Sequence, residues 1–210
     1  MQKEKEFHNV LKGYNMLLYF AGTMIMFDPS NECIYDFWTE GILKKLPVKS
    51  NNPLFHQASS LLRQSAEDKD IYSRMKEDYR RLFDEKGLLL ASPHKSAYVG
   101  LSDFGDINDK VEDFYKSYGW KSRFHGMIKE DHIGIELLFL SIMIDKLLEF
   151  DDDVCNKEMK KEIRRFIRNH MSNWIPEWNR RVQENSFSAS YKGISSLVLS
   201  CTEDISDLLA

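Results

Sequence analysis

The chain has 210 residues, 42% hydrophobic and 30% charged, with 10 glycines, 5 prolines and a formal net charge of −4. That length suits one domain with a real hydrophobic core. A mildly acidic balance excludes general nucleic-acid binding, which needs a basic footprint. Long stretches free of Gly and Pro favour helices over many short strands and turns.

Helical spacing begins at once. Phe7, Val10, Leu11, Tyr14, Leu17, Leu18 and Met24-Ile25 recur at three- and four-residue steps, which predicts a helix over about 4–27. Asp28-Pro29-Ser30-Asn31 stops it and offers caps for a second helix, about 32–45, with Ile34, Phe37, Trp38, Ile42 and Leu43 on one side. A loop from Pro47 to Pro53 leads to a helix carrying Phe55, Ala58, Leu61 and Leu62. The next, about 69–84, carries the stripe Tyr72, Met75, Tyr79, Leu82 and Phe83, and Gly87 closes it. Residues 88–102, with Pro93 inside, are the least regular part. Ile107, Val111, Phe114, Tyr115 and Tyr118 predict a helix over about 106–118, ended by Gly119.

Residues 120–130 read as a linker, and a possible hinge between two halves of a single domain spanning 1–210. From about 132 to 149 the chain is apolar nearly all round, the mark of a helix at the centre of a bundle. Asp151-Asp152-Asp153 ends it and caps the next, about 156–173, whose basic face (Lys157, Lys160, Lys161, Arg164, Arg165, Arg168) opposes Met159, Ile163, Phe166 and Ile167. Trp174-Ile175-Pro176 breaks that helix, and a last pair follows at about 177–185 and 187–208. The expected fold class is all-α, a helical bundle.

The three cysteines, Cys33, Cys155 and Cys201, form no CxxC pair and no zinc spacing. They read as reduced thiols of a cytosolic protein, with a single long-range disulfide left open. Residues 14–27 imitate a signal region, but mixed charges precede them and no small-x-small cleavage site follows. The apolar run 133–150 contains Glu136, Asp145 and Lys146, which argues against a membrane span. The reading is a cytoplasmic protein without stable membrane insertion. No GxSxG, P-loop or GxGxxG pattern is present, so the chain gives little reason to expect an enzyme, and no cofactor is expected.

The most informative stretch is Glu130-Asp131-His132 running into Glu136-Leu137-Leu138-Phe139-Leu140. A helix of that length has no need of an acid and a histidine at its mouth or of a carboxylate one turn inside, because buried charge is costly unless paired. His132 and Glu136 share a face, and Asp131 suits an N-cap. The plainest reading is a cap plus a buried histidine–glutamate hydrogen bond. A metal site would need a further ligand, for which His125 and His170 are candidates. A binding site is the third reading. Aromatic residues at helical spacing, such as Tyr79 and Phe83, are ordinarily core, and the irregular loop around Pro93 is what would expose them as a groove wall. The pairs Arg80-Arg81 and Arg180-Arg181 precede no apolar signal region and read as solvated helix charge.

An ordered set of weak signals runs through most of the chain: Tyr14 to Phe20, Tyr79-Arg80-Arg81-Leu82-Phe83, Pro93 with Ser96-Ala97-Tyr98, and Phe114-Tyr115. It continues with Tyr118-Gly119, the Asp131-His132 head with Glu136-Leu137 and Phe139-Leu140, His170 with Trp174-Ile175-Pro176, and Tyr191. In this the chain resembles the TorD/DmsD/NarJ-type chaperones, which assist maturation of molybdenum-containing redox enzymes. It departs at the head, where Ile128-Lys129-Glu130-Asp131-His132 stands for Glu-Pro-Asp-Asp-His. It departs again in the loop, where Ser92-Pro93-His94-Lys95-Ser96 stands for Pro-Pro-Trp-Glu-Ser.

The resemblance implies a TorD-like bundle with a hinge before the Asp-His head, as a monomer or a domain-swapped homodimer. It implies a cytoplasmic chaperone that binds the twin-arginine signal peptide or apo form of a molybdoenzyme precursor until cofactor insertion and export. A peptide-binding site would then draw on Tyr79, Leu82, Phe83, Pro93, Ser96, Tyr98, Glu130, Asp131, His132 and Glu136. The apolar side chains would take the apolar stretch, and Asp131, Glu130 and Glu136 would meet the arginines. The alternatives are a helical interaction scaffold without client binding, or a metal-dependent enzyme using His132 and Glu136.

Overall fold

The computed structural model describes residues 2–38, 45–99 and 107–210. Its helices are α1 (Gln2–Met26), α2 (Asn31–Trp38), α3 (Pro53–Ala66), α4 (Ile71–Leu82), α5 (Ile107–Ser117), α6 (Ile133–Glu149), α7 (Asp153–Phe166), α8 (Ile175–Asn185) and α9 (Ala189–Leu208). Among the described residues the fold is all-α. Within those residues a lone antiparallel bridge between His94 and His132 is the one piece of extended pairing. Ile42 and Leu43 lie outside the described residues, as do the side chains of Ile107 and Cys33. Cys155 and Cys201 are free thiols, the first exposed and the second buried.

Local chemistry sets the helix ends. Asn52 caps α3 by accepting from the Leu54 N–H at 2.9 Å, with Pro53 as the first helical residue. Asp152 is the acid of the Asp151–Asp153 run that caps α7, accepting from the Cys155 N–H at 2.8 Å. The segment expected as one helix to 173 stops being α at Phe166. A π-turn, Ile167–Met171, follows, closed by the Ser172 N–H on the Ile167 carbonyl at 2.8 Å. Pro176 sits inside the first turn of α8, where a missing N–H costs nothing.

Two helices form the centre. The first is α6, buried except along the line of Leu138, Ile142, Asp145 and Glu149; α1 and α7 pack on it. Gly134 is where α1 crosses most closely, since a Cβ there would lie 2.2 Å from the Met26 Cγ and 3.1 Å from the Gly22 carbonyl. The second is α9, surrounded by α3, α1 and α8. Its serines make it look amphipathic at best, yet Ser190, Ser195, Ser196 and Ser200 are all buried. Hydroxyls of Ser195, Ser200 and Thr202 donate to carbonyls three residues back (3.1, 3.1 and 2.8 Å), which removes the cost of burying them. Gly193 lets α3 approach α9, a Cβ there meeting the Leu62 Cγ at 2.9 Å.

The loop between α8 and α9 is tied down by Asp78 of α4, which is fully buried. Its carboxylate accepts from the Ser186 hydroxyl (2.7 Å) and from the N–H groups of Phe187 (3.0 Å) and Ser188 (2.7 Å). Nothing in the periodicity of α4 singles out this aspartate. No described helix is long and apolar enough to cross a membrane.

Candidate functional site

The C-terminal ends of α1 and α4 converge on the head of α6 and leave a cleft of about 620 Å³ between them. Met26, Tyr79 and Phe83 supply apolar wall from those two helices, Pro93 and His94 come from the loop, and Met127 and Ile128 from the 120–130 segment. Four carboxylates, Asp84, Glu85, Glu112 and Glu130, line it against two ammonium groups, Lys86 and Lys129. At its side the exposed Phe27 meets Phe124 edge-on, ring centroids 5.3 Å apart, and Met127 is 75% exposed.

The two segments singled out in the sequence prove to be bonded to each other. The Lys95 N–H donates to the Asp131 carbonyl at 3.0 Å and the Ile133 N–H to the Pro93 carbonyl at 2.8 Å. The Asp131 side chain completes the joint, with Oδ1 3.2 Å from His94 Nδ1 and Oδ2 accepting from the Ser96 N–H at 3.0 Å. Burial would raise this carboxyl, but the bonds from His94 and Ser96 outweigh it and hold the pKa down at about 2. Asp131 is therefore not the N-cap of α6, because its carboxylate is taken by the loop.

The cap is His132. Its Nδ1 accepts from the Gly134 N–H at 2.9 Å, which requires a neutral ring with the proton on Nε2. Burial and the neighbouring His94 push its pKa down to about 3, so the ring stays neutral through the physiological range. This corrects the expected histidine–glutamate bond: Glu136 points into the core, and its two oxygens have no hydrogen-bond partner of good geometry among the described residues. The Trp174 indole N–H that faces Glu136 is committed to the His170 carbonyl at 2.8 Å. Burial pushes the Glu136 pKa well above the carboxylate range, and the charge of Lys95 offsets part of that.

Of the other expected site residues, Tyr79, Phe83, Pro93, Glu130 and His132 line the cleft. Tyr79 donates to the Met26 carbonyl at 3.2 Å, and Phe83 stacks behind it on Trp178 and meets Tyr191 edge-on. Leu82 is fully buried and is core, because α4 turns that side inward. Ser96 is exposed but outside the lining. Tyr98 is also outside it, its hydroxyl on the Ser92 carbonyl at 2.8 Å and its ring between Trp174 and the Arg181 guanidinium.

Glu130 has a different environment from its neighbour. It is 4% exposed, and its Oε1 lies 2.7 Å from His125 Nδ1. Its Oε2 is buried with no partner among the described residues. A half-satisfied carboxylate beside a cleft has room in its bonding for one more donor. Residues missed by sequence reasoning include Met26, Asp84, Glu85, Lys86, Glu112 and Met127. His94 was visible there only as a departure from a pattern. His125 bonds Glu130, and His170 packs against Phe166 and Phe114. Among the described residues no three His, Cys, Asp or Glu side chains converge as metal ligands do.

The sequence profile of the nitrate reductase delta subunit family matches residues 50–180. The chain is also similar to the chaperone protein TorD of Vibrio parahaemolyticus, with 26% identity over 145 residues. That match covers 67% of this chain and 66% of that protein, so the chain spans just under two thirds of the relative's length. The matched region carries α4, the loop, the Asp131-His132 head and α6, which build the cleft together with the end of α1, outside the match. The chain belongs to the nitrate reductase delta subunit family, that of the TorD- and NarJ-type proteins.

Proposed function

We propose that this protein is a maturation chaperone for a molybdenum-containing oxidoreductase, and that its cleft takes the twin-arginine signal peptide of that client. Membership of the family and similarity to a protein described as a chaperone support the first part. The second part rests on the cleft. Apolar wall from Met26, Tyr79, Phe83 and Met127 suits the apolar stretch of a signal peptide, and an acidic lining suits its arginines.

The observation that carries the reading is the unpartnered Oε2 of Glu130. A guanidinium would have to uncover this buried oxygen to reach it, and would then make charge-assisted bonds to a carboxylate already held by His125. Asp131, in this reading, shapes the site without touching the peptide. The chaperone works in the cytoplasm, ahead of cofactor insertion and export, and holds no cofactor of its own. Trp120 packs on Tyr115 and Phe139, at 4.9 and 5.1 Å, so hinge opening at 120–130 toward a swapped dimer would have to peel this ring away. Calorimetric titration with twin-arginine peptides from the same genome tests the reading. Selective binding lost in Arg→Lys controls supports it; binding to none of them overturns it.

A further inference from the structure

The packing of α1 against α6 is antiparallel and pinned at two places. Gly22 and Met26 meet Gly134 at one end, and at the other the Asn15 Nδ2 donates to the Asp145 Oδ1 at 2.6 Å. One residue on from this seam, each helix carries an uncovered line: Met16, Tyr19 and Thr23 on α1, Leu138 and Ile142 on α6. One residue is a turn of about 100°. In an antiparallel pair the same step swings both lines to the same side, so they form the two banks of one groove. Met16 is 61% and Tyr19 53% exposed, while Leu138 and Ile142 are half-buried. The Thr23 hydroxyl donates to the Tyr19 carbonyl at 2.9 Å and asks nothing of a partner. Single exposed apolar side chains are ordinary, but a row of them between two helices marks an interaction surface.

The groove is continuous with the cleft. Met26 lines the cleft, the exposed Phe27 stands beside it on Phe124, and the row runs from there to the Asn15–Asp145 bond. A cleft of about 620 Å³ has the size of a small-molecule site. The apolar region of a signal peptide runs about 7–15 residues, or about 10–22 Å as a helix. The cleft takes the arginines and the first apolar side chains and leaves the rest without a seat. Between Met26 and Met16, α1 rises about 15 Å, which matches that remainder.

We propose that the groove between α1 and α6 seats the apolar stretch that follows the arginines, lying as a short helix along Met16, Tyr19, Leu138 and Ile142. The proposal rests on the peptide reading of the cleft, since the acids there hold the arginines at the C-terminal end of α1. The stretch therefore runs antiparallel to α1, the arrangement of a helix laid in a groove.

Two peptides and three proteins test it. The long peptide carries the arginine pair and the apolar stretch, and the short one ends just after the arginines. The proteins are wild type, Met16→Ser with Tyr19→Ser, and Glu130→Gln, with thermal unfolding to check that each is folded. On wild type the long peptide is expected to bind about tenfold or more tightly than the short one. The double variant is expected to lose most of that advantage, whereas Glu130→Gln weakens both peptides and keeps their ratio. A photoreactive residue at the far end of the apolar stretch is expected to crosslink to α1 around Met16–Tyr19. An unchanged ratio in the double variant, or crosslinks only outside α1 and α6, would overturn the proposal. So would a double variant that turns a dimeric wild type into a monomer at unchanged ratio, because the groove then seats a second copy of this chain. If Glu130→Gln binds both peptides like wild type while the double variant still lowers the ratio, the arginine site fails and the groove stands. Binding of neither peptide to wild type would overturn both.

Discussion

Replacing Asp131 by Asn keeps the shape of the joint between the loop and α6 and removes its charge. The carboxylate is 1% exposed and accepts from His94 and from the Ser96 N–H, which hold its pKa at about 2 against an ordinary 3.8. That lowering corresponds to about 2 kcal/mol of folding stability at neutral pH. The sign follows from the direction. A depressed carboxyl contributes fully above its unfolded value near 3.8, and the contribution is lost as pH falls through about 2. Urea unfolding of wild type and Asp131→Asn should therefore differ by about 2 kcal/mol at pH 7, with the gap narrowing below about pH 4. A gap under about 0.5 kcal/mol at pH 7, the range of ordinary surface changes, would refute the staple. A gap that stays constant down to the acid transition would refute the electrostatic cause.

His132 is neutral and caps α6, so its ring signals in an NMR titration should not shift between pH 8 and pH 5; a midpoint near the ordinary 6.5 would contradict the cap. Leu82 is core, so Leu82→Ala should cost about 2–5 kcal/mol by denaturant unfolding while the folded variant keeps its peptide affinity. Asp78→Ala strands the Ser186 hydroxyl and the Phe187 and Ser188 N–H groups, and a loss of about 3 kcal/mol or more is expected; a change below about 1 kcal/mol would mean the α8–α9 loop is held by something else.

Much of the helical order was legible because long apolar periods leave few alternatives. The limits of that reading are physical. Periodicity finds apolar faces, so it found α6 and undervalued α9, where the buried Ser195 and Ser200 turn their hydroxyls back onto their own helix. It placed a cap at the mouth of α6 but chose Asp131, because an aspartate is the commoner cap; the loop's donors competed for that carboxylate and His132 took the cap. Asp78 drew no attention and Lys95 stood out only as a departure from the family's loop, since their partners lie far along the chain. Of the site, the resemblance picked out segments rather than side chains. It brought Tyr79, Phe83, Pro93, Glu130 and His132 to one cleft, together with Leu82, Asp131 and Glu136, which lie behind its surface.

In the proposed complex Glu130 receives an arginine of the signal peptide. Titration of wild type and Glu130→Gln with the same twin-arginine peptide addresses it directly, since the amide keeps the size and loses the charge. Glu130→Gln is expected to weaken binding by about tenfold or more, with the Arg→Lys peptide losing its disadvantage on the variant. Equal affinity of the two proteins for the twin-arginine peptide would contradict the claim and place the arginines elsewhere.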